Sequence, residues 1–122
     1  MKDTQEILQA LQTLRVPVAP GEYDLHSMIA QALARAGIAY RHEYRLAPRR
    51  RIDFLIGRIG LEVKKSRPAS RALIAQLRRY LESEEVDELI VVVQRSVPLP
   101  QKILGKSVIL FSLDRLWGVA LP

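Results

Sequence analysis

An α/β fold, a mixed β-sheet flanked by helices, is predicted by three features of the chain. Three segments carry apolar residues at helical spacing, and five others alternate with period two or run continuously in β-branched residues. One of the helical segments also lies between two strand segments, GLEVKK and DELIVVVQ, which makes a βαβ crossover of the right-handed kind. The predicted order is helix, helix, three strands, helix, strand, strand.

Thr4 can cap a first helix whose apolar positions Ile7, Leu8, Leu11 and Leu14 recur every three or four residues, and Pro17 and Pro20 stop it. A second helix is expected from about Tyr23 to Ala36, striped by Leu25, Ile29 and Leu33, with Gly37 where a left-handed cap residue belongs. Glu22 and His26 lie on that stripe. From Ile38 the period becomes two: Ile38, Tyr40, His42, Tyr44 and Leu46 alternate with Arg41, Glu43 and Arg45, as in a strand wetted on one face. RIDFLIG and GLEVKK read as an antiparallel hairpin turning between Gly57 and Gly60. The third helix, about Ser70 to Glu84, presents Leu73, Leu77, Tyr80 and Leu81 on one side. DELIVVVQ is apolar enough for a central strand covered on both faces. SVPLPQKILGK reads as a loop, SVILFSL as a last strand, and DRLWGVALP as a closing turn of helix or coil.

A chain of 122 residues has the size of one domain, divided here into an N-terminal helical arm, residues 1–20, and a main domain, residues 21–122. Hydrophobic residues at 48% and charged residues at 26% are the balance of a globular protein. With 19 Lys and Arg against 13 Asp and Glu the net charge is +6, which points to a polyanionic partner, nucleic acid before membrane. The absence of cysteine excludes disulfides, thiolate metal sites and cysteine nucleophiles. The longest apolar run, Leu89 to Val93, is far short of the ~20 residues of a membrane helix. The amino-terminal stretch lacks the apolar block of a secretory signal, so a cytoplasmic protein is expected.

Charge inside the hairpin is the feature that needs a reason. Pairing Gly57 with Gly60 sets Lys64 opposite Asp53 and Glu62 opposite Leu55. Asp53, Leu55, Glu62 and Lys64 then share one face, and Ile52, Phe54, Ile56, Leu61 and Val63 fill the other. Asp53 and Glu62 become diagonal neighbours at ~7–8 Å, close enough for two carboxylates to share a divalent cation. The plain alternative is a solvent-facing row of ion pairs. Against it stand the apolar neighbours of Asp53 and the helix that must cover a face of this sheet, because burying carboxylates without a counter-charge is costly.

Asp53, followed after eight residues by Glu62-Val63-Lys64 and then by a helix bearing Gln76-Leu77-Arg78-Arg79-Tyr80, resembles the PD-(D/E)XK nuclease superfamily. The likeness runs from Glu22 to about Val93 and implies a restriction-endonuclease-like αβββαβ core preceded by an extra helix. It implies that Asp53, Glu62 and the Val63 carbonyl hold Mg²⁺ or Mn²⁺ and that Lys64 sits beside the attacked phosphate. Gln76 and Tyr80 resemble the Q-x-x-x-Y helix motif of the RecB-like branch, where they organise the site and touch nucleic acid. Glu22 is similar in place to the first-helix glutamate of Holliday-junction resolvases, and His26 on the same stripe competes for that role. Ile52 stands where the eponymous proline would be. The implied activity is hydrolysis of DNA phosphodiesters by a metal-activated water. Two carboxylates and a carbonyl suit a hard cation, which lowers the pKa of bound water and neutralises phosphoryl charge.

Each remaining residue has a simpler reading beside the functional one. Gln76 and Tyr80 could form the polar border of their helix. Glu22 and His26 could cap and edge theirs, and for His26 that is the expectation. Glu43, between two arginines, reads as part of a solvated strand face and as a weak alternative ligand. Arg49, Arg50 and Arg51 lead into Asp53, and with Lys65, Arg67, Arg71 and Arg79 they offer a phosphate track to DNA, RNA not being excluded. The first helix's stripe implies packing on its own domain, with a homodimer as its second use. An inactive nucleic-acid-binding module of the same fold is the alternative function, and a basic adaptor without a site is a third.

Overall fold

A computed structural model describes residues 3–15, 22–65 and 69–114, the side chains of residues 22–24 excepted. Among the described residues three helices, α1 (Thr4–Leu11), α2 (Glu22–Arg35) and α3 (Ser70–Leu81), accompany six strands. These are β1 (Arg41–Ala47), β2 (Arg50–Ile56), β3 (Ile59–Lys64), β4 (Glu88–Val93), β5 (Lys102–Ile103) and β6 (Lys106–Ser112). They form one mixed sheet in the order β1-β2-β3-β4-β6-β5. β1, β2 and β3 pair antiparallel, β3, β4 and β6 pair parallel, and β5 returns antiparallel to β6. The fold is α/β.

β4 lies inside the sheet, and Leu89 to Val93 are all inaccessible to solvent. Its side chains alternate between two cores. Ile90 and Val92 join Ile7, Leu11, Leu25, Ile29 and Leu33 of α1 and α2, and Leu89, Val91 and Val93 join Leu73, Leu77 and Leu81 of α3. Helices therefore cover both faces, which a strand apolar throughout requires. Ile7, Ala10, Leu11 and Leu14 pack in the same core as α2, so the stripe of the first helix is occupied within the chain.

Several local expectations are corrected. The N-cap of α1 is Asp3, whose carboxylate accepts the Glu6 N–H at 3.0 Å, and the Thr4 hydroxyl donates instead to Glu88 at the start of β4. The first strand begins at Arg41, not Ile38. Gly37, at φ 72°, and Ile38 return their N–H groups to the carbonyls of Ala34 and Leu33, a Schellman end that uses Ile38 to terminate α2. α3 stops at Leu81 rather than Glu84. The Lys106 ammonium there donates to the carbonyls of Leu81, Ser83 and Val86, holding the connection to β4 as a turn. The expected loop from Ser96 contains the short strand β5. The segment from Arg115 onward lies outside the described residues. Among the described residues, no helix is long and apolar enough to cross a membrane.

Candidate active site

The hairpin turns at Gly57-Arg58, one step earlier than expected. Gly57 has φ 61° at the first central position, where a two-residue turn takes a glycine without strain. Ile56 therefore pairs with Ile59, Leu55 with Gly60 and Phe54 with Leu61. The correction is an even two-residue shift, so the faces of β3 are kept while Glu62 moves from the level of Leu55 to that of Asp53.

The β2–β3 ladder ends at Phe54–Leu61, and the side chains of the next pair replace it. The Asp53 N–H donates to Glu62 Oε1 at 3.2 Å, and the Val63 N–H donates to Asp53 Oδ2 at 2.8 Å. Each strand's carboxylate thus takes an N–H of the other strand.

A second irregularity lies at the same level. Cα partners between β1 and β2 run from His42–Phe54 to Tyr44–Ile52, and Glu43, which lies between, has φ 53°. His42 and Phe54 belong to the α2 side, whereas Tyr44 and Ile52 pack on the α3 side. Both strands change face at Glu43 and Asp53. Ile52 was expected to share a face with Phe54; this twist sends it to the α3 core instead.

The two carboxylates are consequently gripped from opposite sides of the sheet. Toward α3, Tyr80 Oη lies 3.1 Å from Glu62 Oε2 and 3.1 Å from the Arg51 carbonyl, and Gln76 Nε2 donates to it at 3.0 Å. Lys64 Nζ stands 3.3 Å from Glu62 Oε2. Toward α2, His26 Nε2 stands 3.5 Å from Asp53 Oδ2. The Glu62 side chain is 5% exposed, the Asp53 side chain 21%. Burial, then the negative charge of Asp53, pushes the Glu62 carboxyl up to about 7, against the opposing pull of Lys64, the Asp53 N–H and Tyr80. Burial and the neighbouring Glu62 likewise push the Tyr80 hydroxyl well above the ordinary phenol value.

Oxygen donors at one level of a splayed ladder, with like charge as the second cause of Glu62's reluctance to ionise, fit a hard divalent cation that would relieve that repulsion. Compared with models of known protein families, with curated proteins and with solved structures, the chain matches none. The geometry stands on its own.

Of the basic residues expected to form a phosphate track, Arg49, Arg51, Lys65, Arg71 and Arg79 are exposed. Arg50 is half-buried and donates to Glu82 at 3.3 Å and to the Arg79 carbonyl at 3.5 Å, so the β1–β2 turn adjoins the last turn of α3. Arg51 lies 3.7 Å from Glu43. Arg58, at the turn end of the hairpin, is committed to Asp87 and the Glu84 carbonyl. The expectations for the Glu22 side chain and for Arg67 lie outside the described residues.

His26 departs from the expected helix edge: it is 8% exposed, and its Nδ1 lies 2.9 Å from His42 Nε2. His42 is the residue of this group that the sequence leaves unmarked. Its only local signal was a place in the alternating strand, which says nothing of a helix sixteen residues earlier.

Proposed function

We propose that the chain is a metal-dependent nuclease of the PD-(D/E)XK type that hydrolyses DNA with a metal-activated water. The carrying observation is the reciprocal Asp53–Glu62 bracket at the end of the β2–β3 ladder, with Lys64 and Tyr80 both on Glu62. The order α2, β1, β2, β3, α3, β4 is in keeping with a restriction-endonuclease-like core, and a chain without cysteine is in keeping with a cytoplasmic one.

Asp53 and Glu62 would hold Mg²⁺ or Mn²⁺ with the Val63 carbonyl, and the bound ion would supply an acidified water and charge neutralisation at the phosphoryl oxygens. Tyr80, fixed by Gln76 and the Arg51 carbonyl, orients the Glu62 carboxylate. Lys64 is half-buried beside Glu62, and its ammonium can turn to a phosphate bound there, giving a preorganised positive charge to the developing oxyanion. Arg49, Lys65, Arg71 and Arg79 offer exposed charge for the DNA backbone, and RNA carries the same phosphates.

The test is a panel of labelled DNA and RNA single strands, duplexes, forks and junctions, incubated with Mg²⁺, Mn²⁺ or EDTA. Cleavage of DNA that EDTA stops is expected. Lys64→Met keeps the apolar stem and the carboxylates, so it retains Mn²⁺ binding by calorimetry while single-turnover cleavage falls ~10²–10³-fold. Metal-independent cleavage, or a Lys64→Met protein as fast as the parent, defeats the proposal. Tight binding without cleavage by the parent selects the inactive binding module instead.

A further inference from the structure

On the α2 side of the sheet a second group of donors meets, and the mechanism above does not use it. His26, His42 and Glu43 each offer a ligand atom, and these atoms lie within 4.8 Å of one another. His26 comes from α2, and the other two are consecutive on β1, where the φ of 53° at Glu43 interrupts ordinary strand alternation. Their chemistry differs from the carboxylate pair. Two imidazoles and one carboxylate suit a divalent transition metal, whereas Mg²⁺ prefers oxygen throughout.

The ring geometry fits such an ion. Ligand nitrogens about 2.0–2.1 Å from a tetrahedral metal stand about 3.3 Å apart, and His26 Nδ1 lies 2.9 Å from His42 Nε2, a difference that a small rotation of the exposed His42 ring supplies. Without an ion that spacing is an N–H···N hydrogen bond between the rings. With Nδ1 on a metal, the His26 proton resides on Nε2, which is buried and has no hydrogen-bond partner. The Asp53 carboxylate oxygen Oδ2 stands 3.5 Å from it. A metal-bound histidine commonly points its other N–H at a carboxylate, which fixes the ring and raises its basicity. The Phe54 ring, with centroid distances of 5.6 Å to His26 and 4.7 Å to His42, supports both imidazoles from the core side. Glu43 would leave Arg51, to which it is joined only by an exposed 3.7 Å pair.

We propose that His26, His42 and Glu43 form a second cation site, specific for a divalent transition metal such as Zn²⁺ or Co²⁺ over Mg²⁺, with His26 Nε2–H linking it to Asp53. The site stands on its own donors and does not depend on the nuclease reading.

Metal-free protein carrying Glu62→Ala, which disables the carboxylate pair, is titrated with Co²⁺ by visible absorption and with Zn²⁺ by calorimetry. Thermal melts confirm folding. One Co²⁺ per chain is expected, with a ligand-field band that millimolar Mg²⁺ does not remove. Adding His42→Ala, a substitution at an exposed strand position, weakens Co²⁺ and Zn²⁺ at least tenfold, and adding Glu43→Gln weakens both less. Absence of the band, displacement of Co²⁺ by Mg²⁺, or unchanged affinity in the folded His42→Ala protein overturns the site.

Discussion

Burying a carboxylate beside another carboxylate is unfavourable, and Glu62 carries that cost for the whole site. Its carboxyl is pushed up to about 7, above the ordinary 4.5, by burial first and by Asp53 second. A group that holds its proton more tightly when folded favours the folded state most below its unfolded value, and that contribution is lost as pH rises from about 4.5 through about 7. The metal-free protein therefore loses stability from Glu62 between pH 5 and pH 8. Glu62→Gln removes the titration while retaining a side-chain oxygen for the Asp53 N–H. With chelator present, the melting temperature of the variant relative to the parent is expected to be higher at pH 8 than at pH 5. A difference between the two proteins that is the same at both pH values would contradict the assignment.

At the scale of the hairpin, the site depends on where β2 and β3 stop pairing, and that depends on how the paired part packs. Gly60 lies opposite Leu55 and faces the α3 core. A Cβ at Gly60 would come within 2.4 Å of Ile52 Cδ1 and 2.7 Å of Leu89 Cδ2, both fully buried side chains. Its backbone is not in the left-handed region, so the constraint is space rather than φ. Gly60→Ala is accordingly expected to destabilise the protein by about 1–3 kcal/mol through overpacking. Ile52 directly precedes Asp53, so displacing Ile52 also disturbs the bracket. Urea denaturation checks the first effect: an unchanged midpoint would mean that the core yields freely. Gly57 illustrates the other use of glycine, a turn residue whose φ of 61° fixes the register on which Glu62 reaches Asp53.

Over the whole molecule, two helices on one face of the sheet and one on the other let Asp53 meet His26 while Glu62 meets Tyr80. The net charge of +6 includes, among the described residues, arginines that are paired and arginines that are not committed in this way. Arg50 and Arg58 are engaged by Glu82 and Asp87, whereas Arg49, Lys65, Arg71 and Arg79 are exposed. If those four contact phosphates, log affinity for duplex DNA falls with log salt at a slope of about −3 to −4, from counterion release. Binding measured between 50 and 200 mM salt checks this, and a flat dependence would remove the backbone track.

Much was legible because it is local. The stripe Leu25, Ile29, Leu33 with Gly37 at its end specifies α2 and its cap, and Leu73, Leu77 and Leu81 specify the buried side of α3. The β-branched run before Gln94 specifies a strand covered on both faces, since no solvated face is written into it. Asp53, Glu62 and Lys64 could be picked out by residue type and spacing, and Gln76 and Tyr80 only by their resemblance to a known helix motif. Their relation to one another could not. Moving the turn by one residue shifts the register by two and carries Glu62 from Leu55 to Asp53 without altering a single residue, and an alternating pattern is blind to an even shift. The face change at Glu43 and Asp53 is a property of two strands twisting together, so alternation along β2 points Ile52 to the wrong core. The meeting of His26 and His42 is more remote still, because it needs α2 laid across the sheet at the level of β1. Periodicity along the chain determined the helices, their buried sides and the doubly covered β4; pairing between distant segments, which involves backbone geometry and volume rather than residue type, decided the faces of β1 and β2 and which charged groups share a site.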